Sequence, residues 1–78
     1  MNAEQRSIAE VPLGRRNDGI CWLVLELDSR SGGWLLFGHL SLKEASEFDS
    51  WHLTREEALE EAKNEWGVAV VDWRAESV

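Results

Sequence analysis

Hydrophobic residues dominate the middle of the chain, where they are arranged as two β-strands. Residues 20–28 are rich in Ile, Trp, Val and Leu, and turn residues flank them on both sides. Residues 29–33, Ser-Arg-Ser-Gly-Gly, are typical of a flexible hairpin loop, and residues 34–42 form the returning strand. The pattern therefore predicts an antiparallel β-hairpin, which the chain enters through a tight turn at Asp18-Gly19.

Both predicted strands carry apolar residues on both of their faces. In the first strand, alternation places several leucines on one face and Trp22 and Val24 on the other. An antiparallel hairpin with one solvated face should alternate apolar and polar residues, and these strands do not. We therefore expect something to cover the second face. The pairing register is weakly determined, because a slip by one residue exchanges two similar faces.

The clearest local signal predicts a helix over residues 55–66. Thr54 and Glu57 have the spacing of a capping box, in which the Thr54 hydroxyl accepts a hydrogen bond from a free backbone N–H and Glu57 reaches back to the N–H of Thr54. Gly67 stands where a left-handed C-cap is expected. The apolar residues of this segment fall within one arc of about 100° and should face a sheet. They are Ala58, Leu59, Ala62 and Trp66.

The remaining segments complete a small α+β fold. Residues 1–7 are polar and are expected to fray, whereas residues 8–13 contain the one proline and predict an edge strand or an extended arm. Residues 43–50 predict a connecting loop, and residues 68–73 predict a final strand. The chain is thus predicted to form a single α+β domain over residues 8–78. Its small antiparallel sheet should have ββαβ or βββαβ order, with one helix packed on one face.

Charge and composition exclude several functional classes. The 78 residues suffice for one domain, and their formal net charge of −7 is concentrated in residues 43–78, which hold ten acidic and four basic side chains. A nucleic-acid-binding protein needs a basic surface, so we expect no nucleic-acid partner. The longest apolar run, residues 20–25, is far shorter than a membrane span, and we expect no membrane association. With no secretory signal and with Cys21 as its one cysteine, the sequence predicts a cytoplasmic protein.

No constellation of residues predicts catalysis or metal binding. Cys21 and His39 would lie diagonally on one sheet face if Leu23 paired with His39, but a thiol among leucines is inert. Asp49 and His52 lack the three or four convergent ligands that zinc requires. We therefore expect no catalytic residue, no metal site and no cofactor, and we do not expect an enzyme.

Aromatic and acidic residues instead indicate protein interactions. The alternatives are that the tryptophans fill the core and that the acidic residues form a solvent-exposed helix face. Trp22 and Trp34 are expected on the sheet face that the helix does not cover. The interaction candidates are Trp22, Trp34, Trp51, His52, Glu57, Glu60 and Glu61. The leading hypothesis is a non-enzymatic interaction module that forms a homodimer through the uncovered face. The alternative is an acidic inhibitor or immunity-type protein that binds a basic partner protein.

The second half of the chain also resembles a recurring pattern in small, acidic, uncharacterised bacterial proteins. Residues 49–58 read Asp-Ser-Trp-His-Leu-Thr-Arg-Glu-Glu-Ala, and Ala62, Glu65-Trp66-Gly67 and Trp73 follow. In the resembling proteins, an aromatic-His segment leads into a capped helix that ends in an aromatic-Gly pair, with a Trp a few residues later. The resemblance covers about a third of the chain. It implies a bacterial cytosolic protein without an established activity, and it assigns no functional residue.

Overall fold

The computed structural model describes residues 6–75, which form one five-stranded antiparallel sheet and one α-helix. The elements are β1 (Arg6–Glu10), β2 (Trp22–Leu27), β3 (Trp34–His39), β4 (Phe48–His52), α1 (Arg55–Trp66) and β5 (Arg74–Ala75). The strand order across the sheet is β4-β3-β2-β1-β5, and α1 contacts β3 and β4. The predicted α+β class, with one helix on one face of a small antiparallel sheet, is confirmed.

The predicted hairpin is formed by β2 and β3. Its entering turn has positive φ angles at Asp18 (55°) and Gly19 (79°), as the Asp-Gly pair predicted. Both strands are shorter than expected. Leu23 pairs with Gly38, and this register decides which side chains share each face of the sheet.

The sequence pattern missed strand β4. We expected residues 43–50 to form a connecting loop, but β4 pairs with β3 and sets Ser50 opposite Leu36. Its alternation is hard to recognise because Ser50 and His52 occupy positions that face the helix. These polar side chains contact Glu61 of α1, whereas a strand pattern leads one to expect apolar residues there. The structure therefore has one strand more than the predicted order.

Strand β1 lies inside the sheet and is not the predicted edge strand. It pairs with β2 along its length and with β5 at two positions. Pairing on both sides is possible because Pro12 lies beyond the end of the strand at Glu10. Arg6 and Ser7 belong to β1, and Ser7 is buried, although we expected both in a frayed segment. The rest of that segment, residues 1–5, lies outside the described residues.

Helix α1 begins and ends at the predicted residues. The Thr54 hydroxyl accepts a hydrogen bond from the Glu57 backbone N–H at 3.1 Å. The Glu57 carboxylate reaches back to the N–H of Leu53 at 3.3 Å, one residue before the expected donor. Gly67 ends the helix with a φ of 70°, and its N–H donates to the carbonyl of Lys63 at 3.0 Å. The cap signals therefore predicted both helix ends correctly.

Replacing Thr54 by Ala tests the N-cap. We expect Thr54→Ala to lower the free energy of unfolding by about 1 kcal/mol, because the Glu57 N–H loses its acceptor. Urea unfolding followed by circular dichroism measures the change. Thr54→Ser keeps the hydroxyl and is the matched control. An equal loss in both variants would contradict a hydrogen-bonding role for this hydroxyl.

The segment after the helix is not the predicted strand over residues 68–73. Val68 is buried in the core, but Val70–Asp72 form a 3-10 turn. The Asp72 carboxylate accepts a hydrogen bond from the Ala69 N–H at 3.0 Å, which gives the backbone a local partner in place of a neighbouring strand. The final strand is the two-residue β5.

The core lies between the sheet and α1, on the face that we call the helix side; the opposite face is the reverse side. Ala58 and Ala62 add little bulk, so the helix lies close to the sheet. The core residues are Ala9, Val11, Ile20, Leu23, Leu25, Leu36, Ala58, Leu59, Ala62 and Val68, and Trp34, Phe48, Trp66 and Trp73 pack against them.

Candidate functional site

An apolar row crosses the reverse side of the sheet. Ile8 of β1 pairs with Val24 of β2, which pairs with Phe37 of β3. Charged residues end the row, with Arg74 of β5 beside Ile8 and Asp49 of β4 beside Phe37. Val24 is fully buried, whereas Ile8 and Phe37 are partly exposed. The row is therefore apolar in its middle and oppositely charged at its two ends.

Two further rows flank this apolar row on the reverse side. One contains Arg6, Glu26, Leu35 and Trp51, and the other contains Glu10, Trp22 and His39. Trp22 is half-buried, and together with Leu42 and Pro12 it lines a hollow of about 450 Å³. Within residues 6–75, the α-helix lies on the other side of the sheet, so the reverse side has no helix over it.

The exposed aromatic side chain of the reverse side, Trp51, is held in one position by the β2–β3 loop. Its indole N–H donates to the Ser31 hydroxyl at 3.0 Å, and that hydroxyl donates to Asp28 at 2.9 Å. The ring lies over Gly33, where even a Cβ atom would collide with it. Trp51 is nevertheless 48% exposed. A large aromatic surface that is ordered in advance loses little entropy on binding.

A second surface lies on the helix side, where a cleft of about 680 Å³ runs between α1 and β4. Phe48 and Trp66 line it as a stacked pair, with ring centroids 5.4 Å apart and an interplanar angle of 11°. The described residues that line the cleft contain six carboxylates and no Lys or Arg. The carboxylates are those of Asp18, Glu47, Glu57, Glu60, Glu61 and Glu65. This surface, which we call the acidic cleft, therefore attracts cations.

Most of the carboxylates in the acidic cleft have no partner within the described chain. Glu57 accepts the N–H of Leu53, and Glu61 accepts the Ser50 hydroxyl at 3.1 Å. The other four side chains make no hydrogen bond or ion pair with any other residue of the range 6–75. They are Asp18, Glu47, Glu60 and Glu65. Within the described residues, these four charges therefore have no compensating partner.

Ser50, His52 and Glu61 form a hydrogen-bonded cluster with the components of a nucleophilic site. The Ser50 Oγ lies 3.0 Å from the Nε2 of His52 and donates its proton to Glu61. Since that proton is already donated, Nε2 must act as the donor to Ser50 and is not placed to accept its proton. Glu61 also lies 3.6 Å from the same Nε2, whereas a triad orients the imidazole through Nδ1. The cluster therefore ties β4 to α1 and does not activate the serine.

The sheet register does not give Cys21 and His39 the expected diagonal arrangement, although the Cys21 backbone N–H donates to the His39 carbonyl at 2.9 Å. The pairing of Leu23 with His39 that would have placed them on one face is wrong, because Leu23 pairs with Gly38. His39 consequently lies on the reverse side. The Cys21 thiol donates to the carbonyl of Gly19 at 3.3 Å.

The predicted interaction residues are divided between the two surfaces. Trp22 and Trp51 lie on the reverse side. Trp34, which we also expected on the face away from the helix, lies on the helix side. It packs against the core there, and the guanidinium of Arg55 lies 5.8 Å from its ring centroid. Its predicted position was wrong because the register differs by one residue from the one we considered. The acidic cleft contains the other four candidates, His52, Glu57, Glu60 and Glu61.

Two glycines of the hairpin were an overlooked signal for the aromatic residues of β4. Gly38 pairs with Phe48, whose ring occupies the space that a side chain on Gly38 would fill. The Trp51 ring likewise occupies the space that a side chain on Gly33 would fill. A glycine in or beside a strand often marks such a close approach. Phe48 was therefore not recognised from the sequence as a candidate residue, and its stacking on Trp66 in the acidic cleft was not predicted.

Residues 6–75 contain no group of three or more His, Cys, Asp or Glu side chains that could hold a metal ion. No helix within the same range is long and apolar enough to cross a membrane. Comparison with protein-family models, with curated proteins and with solved structures finds no match. The function must therefore be inferred from the two surfaces. The resemblance to small acidic bacterial proteins and the cytoplasmic location stay predictions.

Proposed function

We propose that this chain is a non-enzymatic protein-interaction module that forms a homodimer through the reverse side of its sheet. The observation that carries this proposal is the pair of partly exposed apolar side chains Ile8 and Phe37, which flank the buried Val24 on a side that has no α-helix over it within residues 6–75. Trp51 lies in the next row and is already ordered. Together they offer an aromatic and aliphatic surface of the kind that forms interface cores.

The charges at the ends of the apolar row favour a second copy of this chain as the partner. Two identical surfaces can face each other across a two-fold axis. Strand β2 is the middle strand of the sheet, with β4 two strands away on one side and β5 two strands away on the other. A two-fold axis parallel to β2 between two facing sheets therefore places β5 of each copy over β4 of the other, and Arg74 over Asp49. Ile8 then faces Phe37 on both sides of Val24, which is already buried within each chain. The row is thus complementary to itself in charge and in polarity.

The size of this surface predicts a weak dimer. Each strand occupies a width of about 4.8 Å and each residue adds about 3.4 Å of length, so four strands of five residues present a projected area of roughly 330 Å². Standard interfaces bury about 800 Å² on each partner. We therefore expect a dimer that dissociates at micromolar concentrations and becomes predominant only above them.

Charge reversal tests both the dimer and its axis. Sedimentation velocity from micromolar to millimolar concentration should show a reversible dimer. Asp49→Arg and Arg74→Asp should each weaken it by about tenfold, because each places like charges across the axis. The double variant should recover most of the affinity, because it restores opposite charges. Glu56→Arg, an equal reversal at an exposed position of α1 on the other side of the sheet, is the matched control.

A chain that stays monomeric at millimolar concentration would contradict the homodimer. Dimerisation that responds equally to Glu56→Arg and Asp49→Arg, without recovery in the double variant, would contradict this placement of the axis.

The acidic cleft favours a second candidate function, in which the chain binds a basic partner protein as an acidic inhibitor or immunity-type protein would. The supporting observation is the set of cleft carboxylates that lack a partner within residues 6–75, among them Glu60 and Glu65. Such a complex would form faster and bind more tightly at low salt.

A further inference from the structure

Strand β4 forms an open edge of the sheet. Among the described strands it pairs with β3 alone, whereas the opposite edge is the two-residue β5. An edge strand presents backbone N–H and C=O groups that can pair with another strand, and proteins commonly protect such edges with Lys, Pro or very short strands. The five residues of β4, Phe-Asp-Ser-Trp-His, include no Lys and no Pro. The longer edge of this sheet therefore lacks these protections.

The acidic cleft follows this same edge. Both ends of β4, Phe48 and His52, line the cleft, and so does α1 from Glu57 to Trp66. The cleft therefore lies between the helix and the two ends of β4, and at one end it also reaches Asp18 and Ile20, which precede β2. An extended chain segment lying there can hydrogen-bond to the edge through its backbone. Every second side chain of that segment would then point towards α1.

The charges of the cleft specify those side chains. Glu60 and Glu65 of α1 and Glu47 before β4 carry carboxylates without a partner in the described chain. The guanidinium of Arg15, close to the end of the helix, donates to the carbonyl of Asn64 at 2.9 Å and does not line the cleft. Side chains that point towards α1 should therefore be Lys or Arg.

We propose that the edge of β4 and the acidic cleft together bind an extended basic segment of a partner protein by strand addition, with Lys or Arg at alternate positions facing α1. This inference rests on the second candidate function, because it states how a basic partner is held. The homodimer uses the reverse side, to which β4 contributes Asp49 and Trp51.

A short synthetic peptide in which Lys and Thr alternate is the probe. Isothermal titration calorimetry with the full chain at low salt should show one peptide bound per chain. A peptide with Glu in place of each Lys should not bind. N-methylation of the backbone amides that face β4 should weaken binding by at least about tenfold, because it removes the inter-strand hydrogen bonds and leaves the charge unchanged.

Two matched double variants locate the site on the protein. Glu60→Lys with Glu65→Lys should weaken peptide binding by at least about thirtyfold, because it reverses two cleft charges. Both changes suit the helix, since Lys is a good helix former, and at Glu65 a Lys is also favoured by the nearby helix C-terminus. Glu44→Lys with Glu56→Lys changes the net charge equally at exposed positions outside the cleft. It should change the affinity by less than about threefold.

The outcomes separate this inference from the function on which it rests. If the Lys-Thr peptide does not bind at low salt, both the strand addition and the basic partner are rejected. If it binds and N-methylation has no effect, strand addition is rejected and charge attraction to a basic partner survives. If the two double variants lose affinity equally, the cleft is rejected as the site.

Discussion

The substitution Leu36→Ala is expected to lower the free energy of unfolding by about 3 kcal/mol. Leu36 is fully buried, pairs with Leu25 of β2 and belongs to the core beneath α1. Its truncation removes buried methyl groups and leaves a cavity. β3 is held between β2 and β4, so the sheet has little freedom to close that cavity. A domain of this size has a total stability of about 4 to 12 kcal/mol, so this single change removes a large part of it.

Urea unfolding followed by tryptophan fluorescence measures this change, at a protein concentration low enough to keep the chain monomeric. Leu13→Ala is the matched control, because it makes the same chemical change at a side chain that is 81% exposed. We expect it to change stability by less than about 0.5 kcal/mol. Equal effects of the two substitutions would contradict the position of Leu36 in the core.

The elements that were predicted correctly are those whose signals lie within a few residues of the chain. Thr54 and Gly67 predicted both ends of α1, because a cap depends on neighbouring backbone groups. The hairpin was predicted for the same reason, since Asp18-Gly19 and the Gly-rich loop specify turns locally.

The elements that were missed depend on partners that are distant in sequence. β4 was interpreted as loop because Ser50 faces the helix, and that position is explained only by Glu61 eleven residues later. The register of the hairpin was equally undetermined, because both of its faces are apolar. Gly38 distinguishes the registers in hindsight, since it must lie where the Phe48 ring packs. The error of one residue moved Trp34 to the wrong side of the sheet.

The candidate site was predictable by residue type and not by arrangement. The exposed aromatic Trp51 and the acidic Glu60 were both identified from the sequence, but the surfaces that contain them require β4. This one strand contributes Trp51 to the reverse side and Phe48 to the acidic cleft. Because β4 borders both surfaces and was not recognised, the sequence predicted some of their residues but not how these residues are arranged.

The two surfaces also differ in their charge. The reverse side carries charges of both signs: Arg6 and Glu26 pair at 3.7 Å, and Arg74 and Asp49 lie at opposite ends of the apolar row. The acidic cleft has none of this balance among its described lining residues. A balanced surface suits contact with its own copy, whereas an unbalanced one repels its copy and attracts a basic chain. The charges of the two surfaces therefore favour different kinds of partner.

The substitution Gly38→Ala is expected to lower the free energy of unfolding by about 2 to 3 kcal/mol, an overpacking cost. A Cβ atom on Gly38 would overlap the Phe48 ring. That ring is stacked on Trp66, so it cannot move aside without leaving the helix. Gly14→Ala is the matched control, because no atom lies within 4 Å of its added Cβ. It should leave stability unchanged or raise it slightly through the unfolded state.

A double-mutant cycle distinguishes this overlap from a general intolerance of β3 to substitution. Phe48→Ala is itself destabilising, but in that background Gly38→Ala should cost less than about 0.5 kcal/mol, because the atoms with which its Cβ collides are gone. Urea unfolding of the four proteins gives the coupling free energy. An unchanged cost of Gly38→Ala in the Phe48→Ala background would mean that the ring does not occupy this space. The stacking of Phe48 on Trp66 would then no longer explain how β4 is held against α1. Phe48 would also no longer be expected to line the acidic cleft beside the edge of the sheet.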